Sequence, residues 1–535
     1  MTTLIAELEK LQAREGWLSN EALRELAEAL SVPLHRLESL ASFYTHFRRS
    51  PPRRWQLNVC RDLSCQLAGA SEHLARLREL AGSMPDLEIC EVSCLGRCDG
   101  APAAAEGERL LRLDDPDLLE RIASANPVPN VESRTDRWLE ARVYRSPEER
   151  WGTLRRQLEQ APGALQQTLE TAELRGMGGG GFPTARKWAL VAQQAAGPRT
   201  VICNADESEP GAFKDREILR DLPHLVIEGM ALAAYEIGAQ QGWIFLRNEY
   251  RAERKCVAAA LEEARAYGAL GTSVLGTDFN FELEIFDSPG GYILGEETAL
   301  LECMEDRRGE PRNKPPLPGE AGLHGQPTLI NNVETFAHAT AIAAHGADWW
   351  HGLGREGFRG HKFVSVSGDV KNPGVSLVPF GTSLGEVLER HGGMRDGQSL
   401  AVVAPGGASS TFLGPESLDL PIDFESLAQA GSMLGAGSVV FIAEGRDLLE
   451  AGLNITRFFR NESCGKCVPC RAGIEKALEH IKEHDATAPE SRELLENIHA
   501  TLARTSLCGL GHVALAPLLS LLDRLPAKGP RPGST

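Results

Sequence analysis

LRGMGGGGFPTARKW, Leu174 to Trp188, is the stretch around which the chain reads as organised. Gly178 to Gly181 run together, and Gly176 lies two places upstream. Glycine lets backbone come close to a ligand and permits positive φ. Arg186 and Lys187 follow, able to meet phosphate or carboxylate, while Leu174, Met177, Phe182 and Trp188 press apolar surface in from both sides. The letters from Gly176 to Gly181 also satisfy G-x-G-x-x-G. A dinucleotide turn needs a strand before that motif, whereas Ala164 to Leu174, ALQQTLETAEL, has helical character. The stretch therefore reads as a phosphate- or flavin-cradling loop outside the usual βαβ setting, with a floppy glycine linker as the alternative.

At 535 residues the surrounding chain has room for three or more domains. A hydrophobic content of 42% and a charged content of 24% are ordinary for a soluble globular protein. The net charge of −18 argues against a nucleic-acid or anionic-membrane surface. No apolar run approaches the roughly 20 residues of a membrane helix, and MTTLIAELEK lacks the basic and apolar parts of an export signal. Of the 12 cysteines, five lie between Cys60 and Cys98 and three between Cys464 and Cys470. In an intracellular protein such clustering suggests metal or redox chemistry more than disulfides.

Residues 1–50 read as a helical unit, with Asn20 capping EALRELAEAL, Pro33 opening PLHRLESLASF, and Phe43, Tyr44 and Phe47 as packing residues. Residues 51–125 read as a mixed module with strands at Trp55–Val59 and Leu87–Val92 and a helix at Ser71–Leu80. Cys60-x4-Cys65 and Cys94-x3-Cys98 fall in the loops after the two strands, and four thiolates so placed suit iron or zinc. Cys90, within the second strand, reads as a buried thiol. Residues 126–144 read as a linker.

Three more blocks carry candidate ligand chemistry. In CNADESEPGAFKDR, Cys203 to Arg216, Asp206, Glu207 and Glu209 crowd three carboxylates behind a strand at Val201–Ile202. That places Asn204 and the acids at a strand end, where ligand sites gather in α/β sheets. The carboxylates could accept from ribityl or ribose hydroxyls; a solvated acidic turn is the alternative, and Cys203 reads as structural. In GGYILGEETA, Gly295 allows close approach, and Glu296 and Glu297 enter a helix, where acids are also good helix starters. In PRNKPPLPGEAGLHGQPTLINNVET, Lys314 could contact a nucleotide, and Asn331 and Asn332 offer amides to a flavin phosphate or ribityl chain. His361 to about Gly407 reads strand, turn, strand, helix, strand, a β-grasp-like insert. Cys464-x2-Cys467-x2-Cys470 with the distant Cys508 suits a [4Fe–4S] cube better than zinc. Lys466, Arg471 and the following helix start would offset cluster charge. KGPRPGST at the end reads as disordered.

Residues 1 to about 120, through both cysteine pairs, SFYTHF ahead of them and CLGRCDGAP around the second, resemble the small 24-kDa-type thioredoxin-like subunit of respiratory complex I. From about residue 145 the chain resembles the 51-kDa-type NADH-binding flavoprotein subunit, on the glycine loop and the three blocks above. Such fused chains are similar to diaphorase subunits of soluble NAD-linked formate dehydrogenases and bidirectional hydrogenases. The resemblance implies an α/β multidomain fold. It would hold a helical plus thioredoxin-like [2Fe–2S] module, a Rossmann-like FMN/NADH domain (145–345), a β-grasp, SLBB-like domain (360–440) and a helical bundle with [4Fe–4S] (441–525).

By resemblance, Cys60, Cys65, Cys94 and Cys98 hold the [2Fe–2S] cluster. FMN and NAD(H) lie along Gly176, Gly178, Gly179 and Gly181, with Phe182 near the nucleotide and Lys187 reaching flavin or its phosphate. Asn204, Asp206 and Glu209 lie near FMN; Tyr292, Gly295, Glu296 and Glu297 surround flavin and nicotinamide. The chain departs from the family at Met177 (often Arg), Ala185 (often Gly), Leu190 (often aromatic) and Leu317 (often Phe); the last two replace rings thought to sandwich adenine.

The implied reaction is hydride transfer between NADH and FMN followed by single-electron relay, which needs no side-chain acid or base, so no catalytic residue is assigned. The implied setting is cytoplasmic. The implied partner is a catalytic subunit with further iron–sulfur clusters, of molybdenum or tungsten formate dehydrogenase type or of hydrogenase type. Formate is the leading reading, with an NAD-reducing hydrogenase or a complex I-like enzyme as the alternative. A non-catalytic iron–sulfur wiring or scaffold protein is the reading of another class, supported by Met177, Leu190 and Leu317.

Overall fold

The computed structural model describes residues 3–525 apart from 83, 108, 119–142, 145, 147–148 and 196. The linker expected over 126–144 and the disordered end expected at 528–535 fall largely or wholly outside the described residues. The chain opens with helices Leu4–Glu15, Asn20–Leu30 and Leu34–Phe43. Ser19, and not Asn20, caps the second: its hydroxyl accepts from Ala22 N–H at 3.0 Å, and Asn20 is already helical. Ile5, Leu8, Leu23, Leu37 and Leu40 share one core with Phe286, Leu294 and Leu300 much further along the chain. Tyr44, buried, donates its hydroxyl to Arg307 O.

The next module is a sheet of β1 (Trp55–Cys60), β2 (Leu87–Val92), β3 (Ala103–Glu106) and β4 (Arg109–Arg112), in the order β2-β1-β3-β4. β1 and β2 run parallel through the crossover helix Ala70–Ala81, and β3 and β4 return antiparallel. Cys65 does not sit in a loop as expected. Leu63 and Leu67, one helical turn apart and both buried, draw it into the short helix Leu63–Leu67.

The central sheet holds β5 (Thr200–Ala205), β6 (Gln241–Arg247), β7 (Glu282–Ser288) and β8 (Thr328–Asn332), all parallel, in the order β7-β6-β5-β8. Parallel strands need both faces covered. Helix Pro223–Ile237, apolar nearly all round, is correspondingly buried along most of its length. It crosses helix Val333–His345 so closely that a Cβ on Gly229 would lie 2.3 Å from Phe336 O.

A third sheet, β9 (His361–Gly368), β10 (Gly374–Pro379), β11 (Leu400–Ala404) and β12 (Ser438–Ala443), runs β10-β9-β12-β11. Its inner pair β9–β12 is parallel, its outer pairs antiparallel, and helix Leu384–Arg390 follows β10, as the β-grasp expectation has it. Helices Leu448–Glu462, Val468–Glu483, Pro489–Thr505 and Ala516–Leu522 complete the described chain. Among the described residues no helix is long and apolar enough to cross a membrane.

A buried charge network joins the central and third sheets. Lys362 of β9 reaches Glu334, in the first turn of helix Val333–His345, and Lys214 meets the same carboxylate at 3.0 Å. Lys214 also binds Asp215, and Lys362 donates to Ala436 O at 2.8 Å. Burial alone would raise the Glu334 carboxyl; the two ammonium groups outweigh it and hold it well below the carboxylate range. Burial lowers Lys362 to about 8 against the pull of Glu334. Removing one partner of such a group strands buried charge. Glu334→Gln is therefore expected to cost about 3–5 kcal/mol in denaturant unfolding; a loss within 1 kcal/mol, on the scale of an exposed pair, would contradict this account.

Candidate functional site

β6 and β7 extend the sheet from one side of β5 and β8 from the other, so strand order reverses between β5 and β8. Crevices open beyond the carboxyl ends of strands at such a point. Asn204 and Asn332 are paired neighbours at those ends. The glycine loop lies over them, joining helix Ala164–Thr171 to helix Thr184–Ala192 with no strand before it. Gly176 N–H donates to Phe182 O at 2.9 Å and Thr184 N–H to Leu174 O at 2.8 Å, closing the loop at its neck. Met177, buried, donates its N–H to Thr335 Oγ1 at 2.9 Å. Gly179 and Gly181 take φ of 118° and 58°, which other residues rarely adopt. A Cβ on Gly178 would stand 2.9 Å from Asn332 Cβ, whereas one on Gly180 would meet nothing within 4 Å. The loop is thus a fixed bend lying on β8 with its backbone open outward, not a floppy linker.

The three crowded carboxylates diverge. Asn204 Nδ2 donates to Gly295 O at 2.8 Å, bringing two of the sequence blocks together. Asp206 accepts from Ser208 and, at 2.8 Å, from Ser288. Glu207 turns inward: it accepts from Asp215 N–H at 2.9 Å, Arg216 N–H at 3.2 Å and Tyr250 OH at 3.0 Å, holding the start of helix Lys214–Asp221. Glu209 points the other way, accepting from Tyr292 OH at 2.7 Å and from Ser409 N–H and Oγ at 2.6 and 2.7 Å. Burial pushes Asp206 up to about 6 and Glu207 and Glu209 up to about 7.

At the mouth, Lys187 pairs with Glu297 at 3.0 Å, and Lys314 with Glu296 at 2.7 Å and Glu297 at 3.4 Å. Burial would raise Glu297, but Lys187 and Lys314 hold it below its ordinary value. Glu296 also caps helix Glu297–Met304 through Thr298 and Ala299 N–H. Phe182, Leu190 and Leu317 are exposed at 43%, 37% and 45%, unusual for large apolar side chains in this chain. The two asparagines of β8 have different partners within the protein. Asn331 is buried and accepts from Trp188 Nε1–H at 3.0 Å. Asn332 accepts from Lys214 Nζ at 3.1 Å and donates to Asp215 and, at 3.4 Å, to Asn204 O.

This donor set fits FMN and a dinucleotide. Bare glycine backbone, an amide, two cations, carboxylates and three exposed apolar side chains belong to one crevice or its rim. Thr184 Oγ1, at the loop's exit, is buried without a hydrogen-bond partner in the protein.

Eight of the 12 cysteines are the candidate cluster ligands. Cys60, Cys65, Cys94 and Cys98 are buried, with Cys94 and Cys98 Sγ 3.5 Å apart. Backbone N–H groups of Gly96, Ala103 and Gly211 point at Cys94, Cys65 and Cys98 Sγ at 3.4, 3.4 and 3.3 Å, an arrangement that suits cluster-bound thiolates. Two buried arginines of the central domain, which nothing local in the sequence singles out, hold this loop. Arg216 binds Gly96 O at 2.6 Å and Asp99 at 2.7 Å, and Arg247 binds Cys94 O at 2.7 Å. Cys90 lies outside the set, against Gln56.

Cys464 and Cys467 lie between helices, Cys470 in the first turn of Val468–Glu483, and Cys508 caps the next short helix. A Cβ on Gly511 would stand 3.3 Å from Cys470 Cβ, so the Cys508 loop abuts the triplet. Burial pushes Cys470 up to about 12 and Cys508 to about 11; iron would take the place of those protons. Lys466 donates to Pro311 O at 2.8 Å while its charge works against the burial that raises the Cys464 thiol, and Arg471 donates to Gly465 O within the cysteine loop.

Profiles of four families match: a thioredoxin-like [2Fe–2S] ferredoxin over 1–125, the Nuo51 FMN-binding domain over 169–341, the SLBB domain over 363–413 and the NADH-ubiquinone oxidoreductase-F iron–sulfur binding region over 450–528. An F-type subunit of NADH-quinone oxidoreductase from Rhizobium meliloti is 41% identical, covering 69% of this chain and 89% of the relative. The chain belongs to this F-type family of NADH-quinone oxidoreductase subunits. As a member it is an NAD-dependent flavin and iron–sulfur oxidoreductase that uses FMN, a [2Fe–2S] and a [4Fe–4S] cluster. The chain is also similar to the HndC subunit of the NADP-reducing hydrogenase of Solidesulfovibrio fructosivorans, at 39% identity over 68% of this chain and 75% of that one. A crystal structure of an NAD+-reducing [NiFe]-hydrogenase in the H2-reduced state matches 99% of this chain and 95% of its own, with a TM-score of 0.85 and 31% identity.

Two expectations test the crevice. Gly178 needs no positive φ, so only Asn332 bars a side chain there. Gly178→Ala is expected to leave the fold intact and weaken FMN retention at least tenfold, read from flavin absorbance after desalting. Second, the raised carboxyls favour protonation in the folded chain. Their contribution is fully present below about pH 4.5 and is lost as pH rises toward about 7. Glu209→Gln is expected to flatten the fall of thermal stability across that window; an unchanged slope would place the effect elsewhere.

Proposed function

We propose that this chain is the NAD(H)-oxidising or -reducing subunit of a multi-subunit enzyme, passing electrons between a nicotinamide dinucleotide and a partner subunit that carries further iron–sulfur clusters. The observation that carries the reading is the convergence of the glycine loop, the Asn204 and Asn332 strand ends and the Lys187–Glu297–Lys314 cluster at one strand-order switch. Bound FMN would supply the exchange between hydride and single-electron chemistry. The chain's own residues bind and orient. Gly178 to Gly181 let a flat ring system lie against backbone, and Asn204 and Asp206 present polar atoms to ribityl hydroxyls. Lys187 and Lys314 meet phosphate, and Glu296 and Glu297 fix both ammonium heads in place. Tyr292, clamped at its hydroxyl by Glu209, packs against Phe458 and Phe459 of the helix that leads into Cys464. Cys60, Cys65, Cys94 and Cys98 would hold the [2Fe–2S] centre, and Cys464, Cys467, Cys470 and Cys508 the [4Fe–4S] centre.

The division we infer is a helical unit to residue 50, a thioredoxin-like domain to 125, a flavin domain over 145–345, a β-grasp domain over 360–440 and a cluster-bearing helical domain to 525. For the partner's substrate, formate on a molybdenum or tungsten subunit is the first reading, the fused arrangement speaking only against a complex I-like enzyme. Hydrogen is the second, favoured by the likeness over 99% of the chain to a subunit of an NAD+-reducing hydrogenase. A cytoplasmic setting accompanies either. Purifying the native complex and assaying NAD+ reduction with formate and with hydrogen separates the two, and neither substrate supporting it sinks both.

The rim generates a further expectation. Leu190 and Leu317 offer apolar contact without an aromatic face, and base stacking on aromatic side chains is worth about 1–3 kcal/mol per contact in nucleic-acid complexes. Leu317→Phe and Leu190→Phe are each expected to tighten NADH binding about fivefold or more, measured as Kd with kcat within twofold. Unchanged Kd in the double variant would place the adenine elsewhere.

A further inference from the structure

Helix Leu448–Glu462 touches every redox site in the chain, a role that the flavin and cluster readings above leave unassigned. Asn454 Nδ2 donates to Arg61 O at 2.8 Å, at the residue after Cys60. Eight residues on, about 12 Å along the helix axis, Glu462 accepts the hydroxyl of Ser93, the residue before Cys94. Its other oxygen accepts Tyr292 N–H at 2.8 Å. Ser463 and Cys464 follow directly. Phe458 and Phe459 pack edge-on against the Tyr292 ring, with centroids 5.0 and 6.2 Å away. The far end of that ring is held in turn, its hydroxyl donating to Glu209 at 2.7 Å. One carboxylate therefore meets the [2Fe–2S] loop and the flavin loop at the point where the chain enters the [4Fe–4S] loop.

We propose that Glu462 is a positioning residue that sets the mutual placement of the flavin and the two clusters, through one hydrogen bond to Ser93 and one to Tyr292 N–H. The inference rests on the flavin and cluster sites proposed above. A carboxylate suits the position because both partners can donate to it and it has two acceptor oxygens. Electron tunnelling falls off steeply with distance, so a strut that fixes the gaps governs rate without touching the reacting atoms.

Glutamine at 462 preserves the geometry. Its amide oxygen accepts Tyr292 N–H, and its NH2 donates to Ser93 Oγ, which can act as acceptor. Glu462→Ala removes both contacts, and Ser93→Ala removes the one toward the [2Fe–2S] loop. The test compares the full-length chain and these three variants by amide hydrogen exchange at Tyr292, FMN and iron content, and electron paramagnetic resonance of both clusters frozen at intervals after NADH addition.

Glu462→Ala is expected to raise Tyr292 exchange at least tenfold, shift the [2Fe–2S] signal, and slow cluster reduction at least tenfold while FMN and iron stay bound. Glu462→Gln is expected to return each to within threefold of the parent chain. Ser93→Ala is expected to shift the [2Fe–2S] signal alone and leave Tyr292 exchange unchanged. Parent-like exchange, spectra and reduction rates in Glu462→Ala overturn the proposal, as does Glu462→Gln behaving like Glu462→Ala. If Glu462→Ala does not assemble, the Glu462→Gln and Ser93→Ala outcomes decide by the same criteria. A parent chain that binds neither FMN nor iron would instead sink the site readings, while Tyr292 exchange still reports whether the strut exists.

Discussion

Contact between the Gly178 backbone and the Asn332 side chain sets how near the chain can come to anything bound at the crevice. That contact holds because Asn332 cannot move. Its carbonyl accepts from Lys214, its NH2 reaches Asp215 and Asn204 O, and it caps helix Val333–His345. Lys214 shares Glu334 with Lys362, which in turn donates to Ala436 O. Ala436 follows Gly435, the residue that faces Gly179 across the top of the loop. A loop of four glycines has high conformational entropy to lose. Here it is wedged between a fixed asparagine below and the Gly435–Ala436 segment that leads into β12 beside it, so much of that ordering is built in before a ligand arrives.

The same logic applies where the modules meet. Arg216, Arg247, Lys214 and Lys362, buried at the junctions, are each paired with a carboxylate and hydrogen-bonded, the condition under which burial is tolerated. Arg216 and Arg247 grip the Cys94–Cys98 loop, and Glu207 commits its carboxylate to the helix that carries Arg216. Three neighbouring acids in the sequence therefore divide among the Ser208 and Ser288 hydroxyls, the helix start and the contact with Tyr292. Their raised pKa values follow from dry surroundings and not from mutual repulsion, since burial is the leading cause for each.

Much of this was legible from the residues. Cysteine spacing picked out the two groups of thiols, and the glycine run with its preceding helix placed the loop outside a βαβ turn. Strand character at Val201 and Ile202 put Asn204 at a strand end. What escaped depends on partners far apart in sequence. Nothing local to Arg247 or Lys362 distinguishes them from surface cations until β6 and β9 bury them against other modules. Lys466 adjoins the cysteines, but that its ammonium also reaches Pro311 O, far off in sequence, could not be read from its position. Asn331 and Asn332 looked equivalent, but side chains alternate along a strand. One therefore faces Trp188 beneath the loop and the other the crevice. Ser19 displaced Asn20 as cap because both residue types cap well and only backbone geometry chooses between them.

The electrostatics of the rim constrain how an anionic dinucleotide is held. The chain carries −18 overall, so its long-range field does not attract an anion. Lys187 and Lys314 stand at the entrance but are matched by Glu297 and Glu296, leaving the cluster near neutrality. Two consequences follow from pairing each ammonium with a carboxylate. The lysine heads are fixed before binding, so less side-chain entropy is lost when phosphate arrives. The carboxylates also offset the ammonium charge that an arriving anion would otherwise meet. Affinity must then come from short-range fit: backbone exposed at glycine, amides at strand ends, and apolar contact with Phe182, Leu190 and Leu317. A crevice built this way selects by shape and hydrogen-bond placement, and net attraction has little part in it.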